Sequence, residues 1–483
     1  MAQQGVFEAE SRIAGKPYGG EATSVHEIVD PWNGEPAMTV AAGGAAAVDA
    51  AVTVAARAFD KSLYASAAER AGWLDRAAVA LEKRGERIVE HAISQIGKPR
   101  RAAKFEVGRS AAFIRACARQ IQSLGGEVLP LDAAPAGKGR FGFSTRVPYG
   151  VVAAITPFNA PANLLVQKVA PALAVGNAVV VKPCLEGSAI ALEIAEAFEE
   201  AGLPDGLLNV VTGDREEARA LAEHEGTAFV TLTGGTAAGE ALVRAAGAKP
   251  FLGELGGNSP NLVCADADLD DAVARITPSA FEASGQQCIS TQRIIVEQAV
   301  FDAFVEKFVA AAGKLKAGDP RDDDTDLGPV VSKRAAERIL GMISDAEAQG
   351  GKILCGPDAE GCMIHPTVIV SPNPDARVIK EEIFGPVAVV LAAADVDDAL
   401  AIANDCPFGL QGSCFTSSLD TAFKVSERLK VGSVWINEGS RFRLDNYPFG
   451  GVGKSGFGRE GVRYAMEAFT QWKFTGVRFP GRE

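Results

Sequence analysis

The sequence predicts an α/β protein with two doubly wound parallel-sheet domains and a small β arm. From Val151 onward, short apolar runs alternate with segments of helical periodicity, which is typical of a parallel sheet covered on both faces. The alternation is interrupted at Glu254 and then resumes as a second set. A stretch with several Gly and Pro residues, from Gly125 to Gly150, fits neither set. A chain of 483 residues is also long enough for two or more hydrophobic cores.

Composition and charge argue against several classes of function. With 47% hydrophobic and 23% charged residues, the chain has the composition of a globular protein. Its formal net charge of −13 argues against non-specific binding of nucleic acid, whose phosphates require a basic surface. The sequence contains no run of about 18 apolar residues, and its first residues lack the apolar centre of a signal peptide. We therefore expect neither nucleic acid nor membrane as a partner.

The cysteines and histidines do not form the pattern of a metal site. None of the eight cysteines belongs to a C-x-x-C pair, and the four histidines are scattered. We therefore expect no bound metal. Because no secretion signal is recognised, the cysteines are interpreted as reduced thiols of a cytoplasmic protein.

The N-terminal part is expected to form a β-hairpin followed by helices. Short alternating apolar stretches flank the turn DPWNGEP within residues 22–44. Residues 45–119 repeat apolar residues at helical spacing. The run ERAGWLDRAAVALEKRGERIVEHAISQIG is predicted as one helix that ends at Gly97 and Pro99.

The first alternating set is expected to form the first parallel sheet. Its predicted strands are VVAAIT, AVVVK, LLNVVTG and AFVTLTG, and its predicted helices are LLVQKVAPALAVG, SAIALEIAEAFEEAG and EEARALAEH. Ligands bind such sheets at the carboxyl ends of the strands. The sequences at these ends, TPFN, VKP, VTG and TGG, contain small residues that permit close approach to the backbone. The helices that follow offer their N-termini to a pyrophosphate.

The second set predicts a second domain of similar build. Its strands are NLVCAD, RIIVE, TVIV, VAVVLA, GSCFT and VGSVWIN, and its helices run up to Ala283 and over AVFDAFVEKFVAAAGKL and DVDDALAIAND. The predicted limits are 1–125 and 149–255 for the first domain and 256–460 for the second. Residues 126–148 and 461–483 are expected to form an arm and a C-terminal tail that returns to the arm after Phe474. From pattern alone, the arm could equally be a plain surface hairpin.

Two residues near the junction of the two sets carry reactive chemistry. Glu254 lies in a glycine-bounded turn, ELGGNSP, and Cys288 ends the sequence GQQC. A thiolate can attack a carbonyl carbon, and a nearby carboxylate can act as general base toward the thiol or toward water. Without its neighbours, Cys288 would be interpreted as one of eight cysteines and merely buried, because free cysteines are usually buried.

Four motifs, ELGGNSP, GQQC, EEIFGPV and PFGGVGKSGFGRE, occur in an order that resembles the aldehyde dehydrogenase superfamily. The resemblance covers essentially the whole chain and favours lactaldehyde- and phosphonoacetaldehyde-type members. It implies oxidation of a small-molecule aldehyde to the carboxylic acid with NAD or NADP and without CoA. The sequence CISTQR also resembles that of aromatic-aldehyde enzymes, so the substrate stays open. The resemblance further implies a Rossmann-like cofactor domain, a catalytic domain, and an arm that assembles a homodimer or homotetramer.

The resemblance implies roles for five catalytic residues. Cys288 is expected to form a thiohemiacetal and then a thioester, and Glu254 is expected to activate the hydrolytic water. Asn159, otherwise a turn former, is expected to supply the side-chain amide of an oxyanion hole together with the Cys288 N–H. Lys168 and Glu460 match a polar pair that supports proton movement in the family, although they could equally form one buried ion pair.

The resemblance also implies a cofactor site. Lys182 is expected to hydrogen-bond a ribose, and Glu382 and Phe384 are expected near the nicotinamide. Taken alone, Lys182 would be a surface lysine and Glu382 a helix-end carboxylate. Leu185 occupies a position at which many NAD-preferring relatives carry glutamate, which predicts that NADP is accepted. The expected cofactor-binding residues are Thr156, Pro157, Phe158, Lys182, Gly213, Gly234, Gly235, Leu255, Glu382 and Phe384.

The substrate funnel is expected between Phe158 and Phe449, and many relatives carry tryptophan at the position of Phe158. Arg441 and Arg443 precede the PFGG loop. They could bind an acid group of the substrate through two parallel hydrogen bonds, or they could be solvated loop arginines. The expected substrate-contacting residues are Phe158, Gln287, Ile289, Arg441, Arg443 and Phe449.

Two other functions remain open from the sequence. In a CoA-acylating relative, CoA would take the acyl group from Cys288. That route has less need of a base that activates water, so the presence of Glu254 disfavours it. In a non-catalytic protein of the same fold, there would be no reason to retain Cys288, Glu254 and Asn159 together.

Overall fold

The computed structural model describes residues 6–481. Residues 1–5, part of the segment in which no signal peptide was expected, and residues 482 and 483, part of the expected tail, lie outside this range. The α-helices of the described chain are Gly44–Ser62, Ala67–Lys83, Gly85–Ile96, Arg100–Gln120, Pro161–Ala174, Ser188–Glu200, Arg215–Glu223, Thr236–Ala246, Leu269–Phe281, Phe301–Ala312, Lys333–Ala348, Arg377–Lys380, Val396–Asn404, Leu419–Arg428 and Val462–Ala468.

The first large sheet is mainly parallel, with antiparallel strands at its two edges. In spatial order its strands are Gly456–Phe457, Phe251–Glu254, Phe229–Thr233, Val151–Thr156, Ala178–Pro183, Leu208–Val210, Arg12–Ile13 and Lys16–Pro17. The five strands from Phe251–Glu254 to Leu208–Val210 run parallel, as expected. Chain order reverses between Phe229–Thr233 and Val151–Thr156, and ligands bind open sheets at such a switch point.

The second large sheet has the same character. In spatial order its strands are Lys352–Cys355, Thr367–Val370, Val387–Ala393, Thr291–Glu297, Ser259–Val263, Gln411–Phe415 and Ser433–Ile436. All neighbours are parallel except the first pair. Successive residues such as Leu262 and Val263 belong to separate apolar clusters, so both faces of the sheet are buried. The α/β fold class is therefore confirmed.

Smaller sheets complete the chain. The N-terminal hairpin is confirmed, because Ser24–Val29 pairs antiparallel with Pro36–Ala42, and Phe7–Ala9 joins the second of these strands. The arm is a three-stranded antiparallel sheet of Thr470–Arg478, Arg140–Pro148 and Glu127–Leu129, so the tail returns to the arm as expected. Two further two-stranded pairs are Ala359–Glu360 with Met363–Ile364 and Phe408–Gly409 with Val452–Gly453.

The run predicted as one helix before Gly97 is two helices, and this prediction was wrong. Ala67–Lys83 ends at Arg84, whose φ and ψ are −87° and 0°, and the second helix begins at Gly85. The Arg84 guanidinium donates hydrogen bonds to three carboxylates of helix Ser188–Glu200: to Glu193 at 2.7 Å, and also to Glu196 and Glu200. Apolar periodicity does not register a break at a residue whose polar partners lie on a distant helix.

The helix expected to run through Ala283 ends two residues earlier, at Phe281. A 3-10 turn, Glu282–Gly285, follows, and Ala283 and Ser284 have φ values of +54° and +58° within it. This sharp change of direction leads into the segment that contains Cys288.

The C-terminal part of the chain returns to the first sheet before the arm. Gly456–Phe457 pairs antiparallel with Phe251–Glu254, and Val462, Ala465 and Met466 belong to the same apolar core as the first sheet. The domain limits near residue 460 therefore remain a prediction. Among residues 6–481, no helix is long and apolar enough to cross a membrane.

Candidate active site

Two cavities meet at Cys288 and Asn159. One, of about 280 Å³, lies at the switch point of the first sheet and contains Glu254, Glu382 and Phe384 in its wall. The other, of about 270 Å³, lies on the opposite side and is lined mainly by charged and apolar side chains. Cys288 and Asn159 line both, so a group entering from either side reaches the same thiol.

Glu254 ends its strand inside the protein, and its side chain is 1% exposed. Neither carboxylate oxygen accepts a hydrogen bond from a residue of the described chain. Burial, with the negative charge of Glu460, raises the pKa of Glu254 to about 7. An unpartnered carboxyl group that changes protonation near neutral pH is suited to act as a general base.

The thiol of Cys288 lies in the same electrostatic environment. Burial, followed by the charge of Glu254, raises the pKa of Cys288 well above its usual value, and Arg443 acts in the opposite direction. The thiol therefore needs a proton acceptor before it can attack a carbonyl carbon. Glu254 is the acceptor that shares the cavity.

Two hydrogen-bond donors beside the thiol are available to a ligand. Within residues 6–481, the backbone N–H of Cys288 and the side-chain amide of Asn159 make no hydrogen bond. Asn159 follows strand Val151–Thr156 and is only 8% exposed. A buried pair of unused donors next to a nucleophile is what an oxyanion hole requires.

The cavity at the switch point fits a dinucleotide. A Cβ added to Gly235 would meet no other atom within 4 Å, so the backbone there borders open space. Gly235 is also the N-cap of helix Thr236–Ala246, which has no side-chain cap. Seven of the expected cofactor residues line this cavity: Pro157, Phe158, Gly234, Gly235, Leu255, Glu382 and Phe384.

Glu382 and Phe384 are held in the wall of the cofactor cavity. Glu382 Oε1 accepts a hydrogen bond of 2.8 Å from Gly257 N–H. Burial raises the pKa of Glu382 to about 7. The ring of Phe384 stands edge-to-face against Phe158, with 5.9 Å between the ring centroids. These contacts fix the two side chains without filling the cavity.

Thr156, Lys182 and Gly213 lie at the carboxyl ends of neighbouring strands rather than in the cavity wall. Lys182 is not a surface lysine, because it is 5% exposed and burial lowers its pKa. Gly213 has φ +146°, and a Cβ there would lie 2.3 Å from the Glu217 carboxylate. The backbone at this strand end therefore tolerates only glycine.

Lys168, Glu460 and Arg443 form one buried network. Lys168 Nζ lies 2.9 Å from Glu460 Oε1, and Arg443 Nη2 lies 3.2 Å from Glu460 Oε2. Arg443 Nη2 also donates to Gln167 at 2.7 Å, whereas Arg443 Nε is buried without a partner among residues 6–481. The Glu460 carboxylate is therefore held between two cations, Lys168 and Arg443.

The other cavity contains Gln287, Ile289, Arg441 and Arg443 among its lining residues. The side chain of Arg443 is only 5% exposed, whereas that of Arg441 is 23% exposed. Arg441 donates to Gln287 Oε1 at 2.8 Å and pairs with Glu282 at 2.6 Å. The interpretation as a solvated loop arginine is therefore wrong for Arg443, whereas Arg441 is half-buried.

The two expected walls of the substrate funnel lie elsewhere. Phe449 is fully buried and belongs to neither cavity lining. Its ring lies under Arg443, with 3.6 Å from the guanidinium carbon to the ring centroid. Phe158 lines the cofactor cavity only. Phe449 thus supports Arg443 and forms no part of either cavity wall.

Sequence reasoning missed four charged residues of the substrate-side cavity: Lys98, Glu106, Arg109 and Glu282. Arg109 pairs with Asp445 at 2.7 Å, which joins helix Arg100–Gln120 to the loop before PFGG. Charged side chains usually face solvent, so no local pattern signals that these line a cavity. Among residues 6–481, no group of three or more metal-ligating side chains is found.

Comparison with known proteins agrees with this geometry. Residues 19–475 match the aldehyde dehydrogenase family. A 3-sulfolactaldehyde dehydrogenase of Priestia aryabhattai is 38% identical over 446 residues, which cover 92% of this chain and 93% of the relative. The NADP-dependent glyceraldehyde-3-phosphate dehydrogenase from Bacillus halodurans C-125, solved with NADP, is 35% identical with a TM-score of 0.95 and coverage of 98% and 99%. PnpE, solved with nicotinamide adenine dinucleotide, is 35% identical with a TM-score of 0.94 and coverage of 98% of each chain.

The chain belongs to the aldehyde dehydrogenase family. It oxidises an aldehyde to the carboxylic acid with NAD or NADP, as the sequence motifs predicted.

Proposed function

We propose that Cys288, Glu254 and Asn159 carry out this oxidation on a short aldehyde that bears an acid group. The observation that carries the proposal is the position of Cys288 and Asn159 where the two cavities meet, with the unpartnered Glu254 carboxylate beside them.

The chemistry begins with a proton transfer from the Cys288 thiol to Glu254. The Cys288 sulfur then forms a bond to the aldehyde carbon, and the carbonyl electrons move to oxygen. The Asn159 amide and the Cys288 N–H stabilise the resulting oxyanion of the thiohemiacetal. The nicotinamide cofactor, when bound, supplies the hydride acceptor that makes the oxidation possible.

Glu254 acts again in the second half of the reaction. As a carboxylate, it removes a proton from water, whose oxygen forms a bond to the thioester carbon. The carbon–sulfur bond breaks, which releases the carboxylic acid and returns the Cys288 thiolate. Lys168 and Glu460 are proposed to support the movement of this proton, because the negative charge of Glu460, balanced by Lys168 and Arg443, contributes to the raised pKa of Glu254.

The cofactor would be held at the switch point of the first sheet. Pro157, Phe158, Gly234, Gly235, Leu255, Glu382 and Phe384 line that cavity. Thr156, Lys182 and Gly213 end strands at the same edge of the sheet.

The charges of the substrate cavity support an anionic substrate. Its lining contains four cations, Lys98, Arg109, Arg441 and Arg443, and two carboxylates, Glu106 and Glu282. The carboxylates that pair with Arg109 and Arg443, Asp445 and Glu460, lie outside the lining. Arg443 also retains an unused buried Nε–H. The relatives named for 3-sulfolactaldehyde and glyceraldehyde 3-phosphate act on substrates whose names include an acid group. Gln287 and Ile289 would position the chain of such an aldehyde.

The test is a panel of aldehydes with NAD or NADP, with and without CoA, monitored by the absorbance of the reduced cofactor. Cys288→Ala should abolish turnover, whereas Cys355→Ala, a half-buried cysteine at a sheet edge, should not. Glu254→Gln should give one burst of reduced cofactor and then stall as a thioester. Near-native turnover by Cys288→Ala would refute the mechanism, and a strict requirement for CoA would favour the acylating alternative.

Assembly and location are also proposals. The arm exposes Val128, Phe141, Trp472 and Phe474, a set of apolar side chains that a second copy could cover. We expect a homodimer or homotetramer, which light scattering on the purified protein would measure. The eight free cysteines favour a cytoplasmic location.

A further inference from the structure

The side chain of Asn159 is oriented by its backbone rather than by hydrogen bonds of its own. Within the described chain its amide has no hydrogen-bond partner. The segment from Asn159 to the start of helix Pro161–Ala174 is therefore what sets the position of the proposed oxyanion donor. This helix has Ala160 at its N-cap, which offers no side-chain cap.

One buried ion pair holds both ends of this segment. Lys98 Nζ donates to the backbone carbonyl of Asn159 at 3.0 Å and to Glu106 Oε2. Glu106 Oε1 accepts hydrogen bonds of 2.8 and 3.0 Å from the N–H groups of Ala162 and Asn163. Glu106 thus supplies, from another helix, the cap that Ala160 lacks.

The pair is buried and lies next to the reacting atoms. Lys98 and Glu106 are each 6% exposed, and both line the substrate cavity together with Cys288. Burying two charges costs solvation energy that a packed apolar pair would not lose. In this site, the pair holds the backbone on both sides of Ala160 through its hydrogen bonds to Asn159, Ala162 and Asn163.

We infer that Lys98 and Glu106 are positioning residues that hold the Asn159 amide in the oxyanion hole. The inference rests on the proposed role of Asn159. Neither residue needs to touch the substrate. Their effect is to fix the Asn159 carbonyl and the first turn of the following helix, so that the amide keeps its direction through turnover.

The test is a double-mutant cycle that uses the full-length enzyme with a saturating aldehyde and cofactor. Lys98→Met combined with Glu106→Gln removes the tie to Asn159, leaves no unpaired buried charge, and retains an amide oxygen for the helix cap. This pair should lower kcat by about 10–100-fold with little change in the KM for cofactor. Asn159→Ala should lower kcat by about 10²–10³-fold.

The decisive variant carries all three substitutions. Once the Asn159 amide is absent, the loss of Lys98 and Glu106 can no longer lower kcat by displacing it. The kcat of this variant should therefore match that of Asn159→Ala within about twofold. If the losses multiply, Lys98 and Glu106 act on something other than Asn159, and the inference is wrong. If Asn159→Ala itself keeps native kcat, the proposed oxyanion hole fails instead.

A control on the same helix separates positioning from general damage. Arg115→Met breaks the exposed ion pair with Glu82, in which the nitrogen–oxygen distance is 2.6 Å. It should leave kcat unchanged. Lys98→Arg keeps the positive charge and the hydrogen-bond donors, so its kcat should lie between that of the native enzyme and that of the variant with Lys98→Met and Glu106→Gln. A purely structural pair would instead lower the melting temperature and leave the kcat of the folded fraction intact, which would also overturn the inference.

Discussion

The backbones of Gly257 and Cys288 touch. A Cβ on Gly257 would lie 1.9 Å from the Cys288 carbonyl oxygen, far inside any permitted contact. The motifs ELGGNSP and GQQC therefore meet directly, and the glycine is required by this close approach. The contact brings the strand that ends at Glu254 against the thiol-bearing segment.

Gly257→Ala is expected to disable the enzyme. The clashing atom is main-chain oxygen, so no side-chain rotation relieves it, and the Cys288 segment must shift. A displacement of about 1 Å at the reacting atoms can cost roughly 10²-fold in kcat. Steady-state kinetics would measure this loss. Gly341→Ala is the control, because its Cβ meets no other atom within 4 Å in an exposed helix position, and it should keep native kcat. Native activity in Gly257→Ala would contradict the proposed contact.

The raised pKa of Glu254 predicts an acid limb in the pH profile. Glu254 must be a carboxylate to accept a proton, so kcat should fall as the pH drops through about 7. Glu460→Gln removes a negative charge and leaves the cations Lys168 and Arg443 less neutralised, and both effects lower the pKa of Glu254. The limb should then move to lower pH. Glu337→Gln, an exposed position, should leave it in place, and an unmoved limb in Glu460→Gln would show that another group titrates.

The same pKa predicts a pH-dependent stability. A folded-state pKa of about 7, above the usual value of 4.5, means that the folded protein binds more protons than the unfolded chain between these values. Burial of Glu254 therefore destabilises the fold increasingly as the pH rises through that window. Glu254→Gln should raise the free energy of unfolding at pH 8, by at most about 3 kcal/mol, and change it little at pH 4. Denaturant unfolding at both pH values would test this, and an equal change at both would argue against the raised pKa.

Arg443 is expected to determine the preference for an acid-bearing aldehyde. Its guanidinium is buried and lines the same cavity as the thiol, and no residue of the described chain accepts a hydrogen bond from its Nε–H. In the native enzyme, an aldehyde with a terminal acid group should have a higher kcat/KM than its neutral analogue, and Arg443→Ala should remove the difference. Because Arg443 also pairs with Glu460, the ratio of the two substrates is the informative quantity.

Arg459→Ala provides the matched control for Arg443. Arg459 lies in the same C-terminal segment, but within the described part of the chain it donates only to the backbone of Gly451 and Gly458. Its loss changes the net charge equally and should leave the ratio unaltered. Equal kcat/KM for the two aldehydes in the native enzyme would remove the proposed role of Arg443.

The sequence predicted those features that local chemistry determines. The strands were recognisable because parallel sheets buried on both faces require continuous apolar runs, as in Ala178–Pro183. Cys288, Glu254 and Asn159 were recognisable from motifs. Lys98 and Glu106 were not, because their burial depends on the packing of helix Arg100–Gln120 against helix Pro161–Ala174, which no local pattern encodes. The same reason applies to Arg84, whose partners lie about a hundred residues away.

The choice between NAD and NADP is expected to depend on the segment after Lys182. Leu185 begins a short 3-10 turn and packs against the apolar core around the first sheet. Its side chain is a hydrocarbon, so it offers no acceptor to a ribose hydroxyl. A carboxylate at this place would repel the 2′-phosphate of NADP, and its absence removes a rejecting group. Lys182 contributes a buried cation at the adjacent strand end, which favours a phosphate. We therefore expect NADP to be accepted at a useful rate, with NAD also used and no large preference between them.

Leu185→Glu should shift the selectivity toward NAD. The new carboxylate gains a hydrogen bond from the ribose 2′-hydroxyl and repels a 2′-phosphate, an effect of about 1–3 kcal/mol. Both kcat/KM and the dissociation constant of each cofactor should be measured, the latter by quenching of protein fluorescence without aldehyde. Glu186→Gln is the control for the neighbouring carboxylate, and little change in selectivity is expected from it. If the native enzyme prefers NAD by a factor of about a thousand, roughly 4 kcal/mol, another group excludes the phosphate, and a large gain of NADP affinity in Glu186→Gln would identify Glu186 as that group.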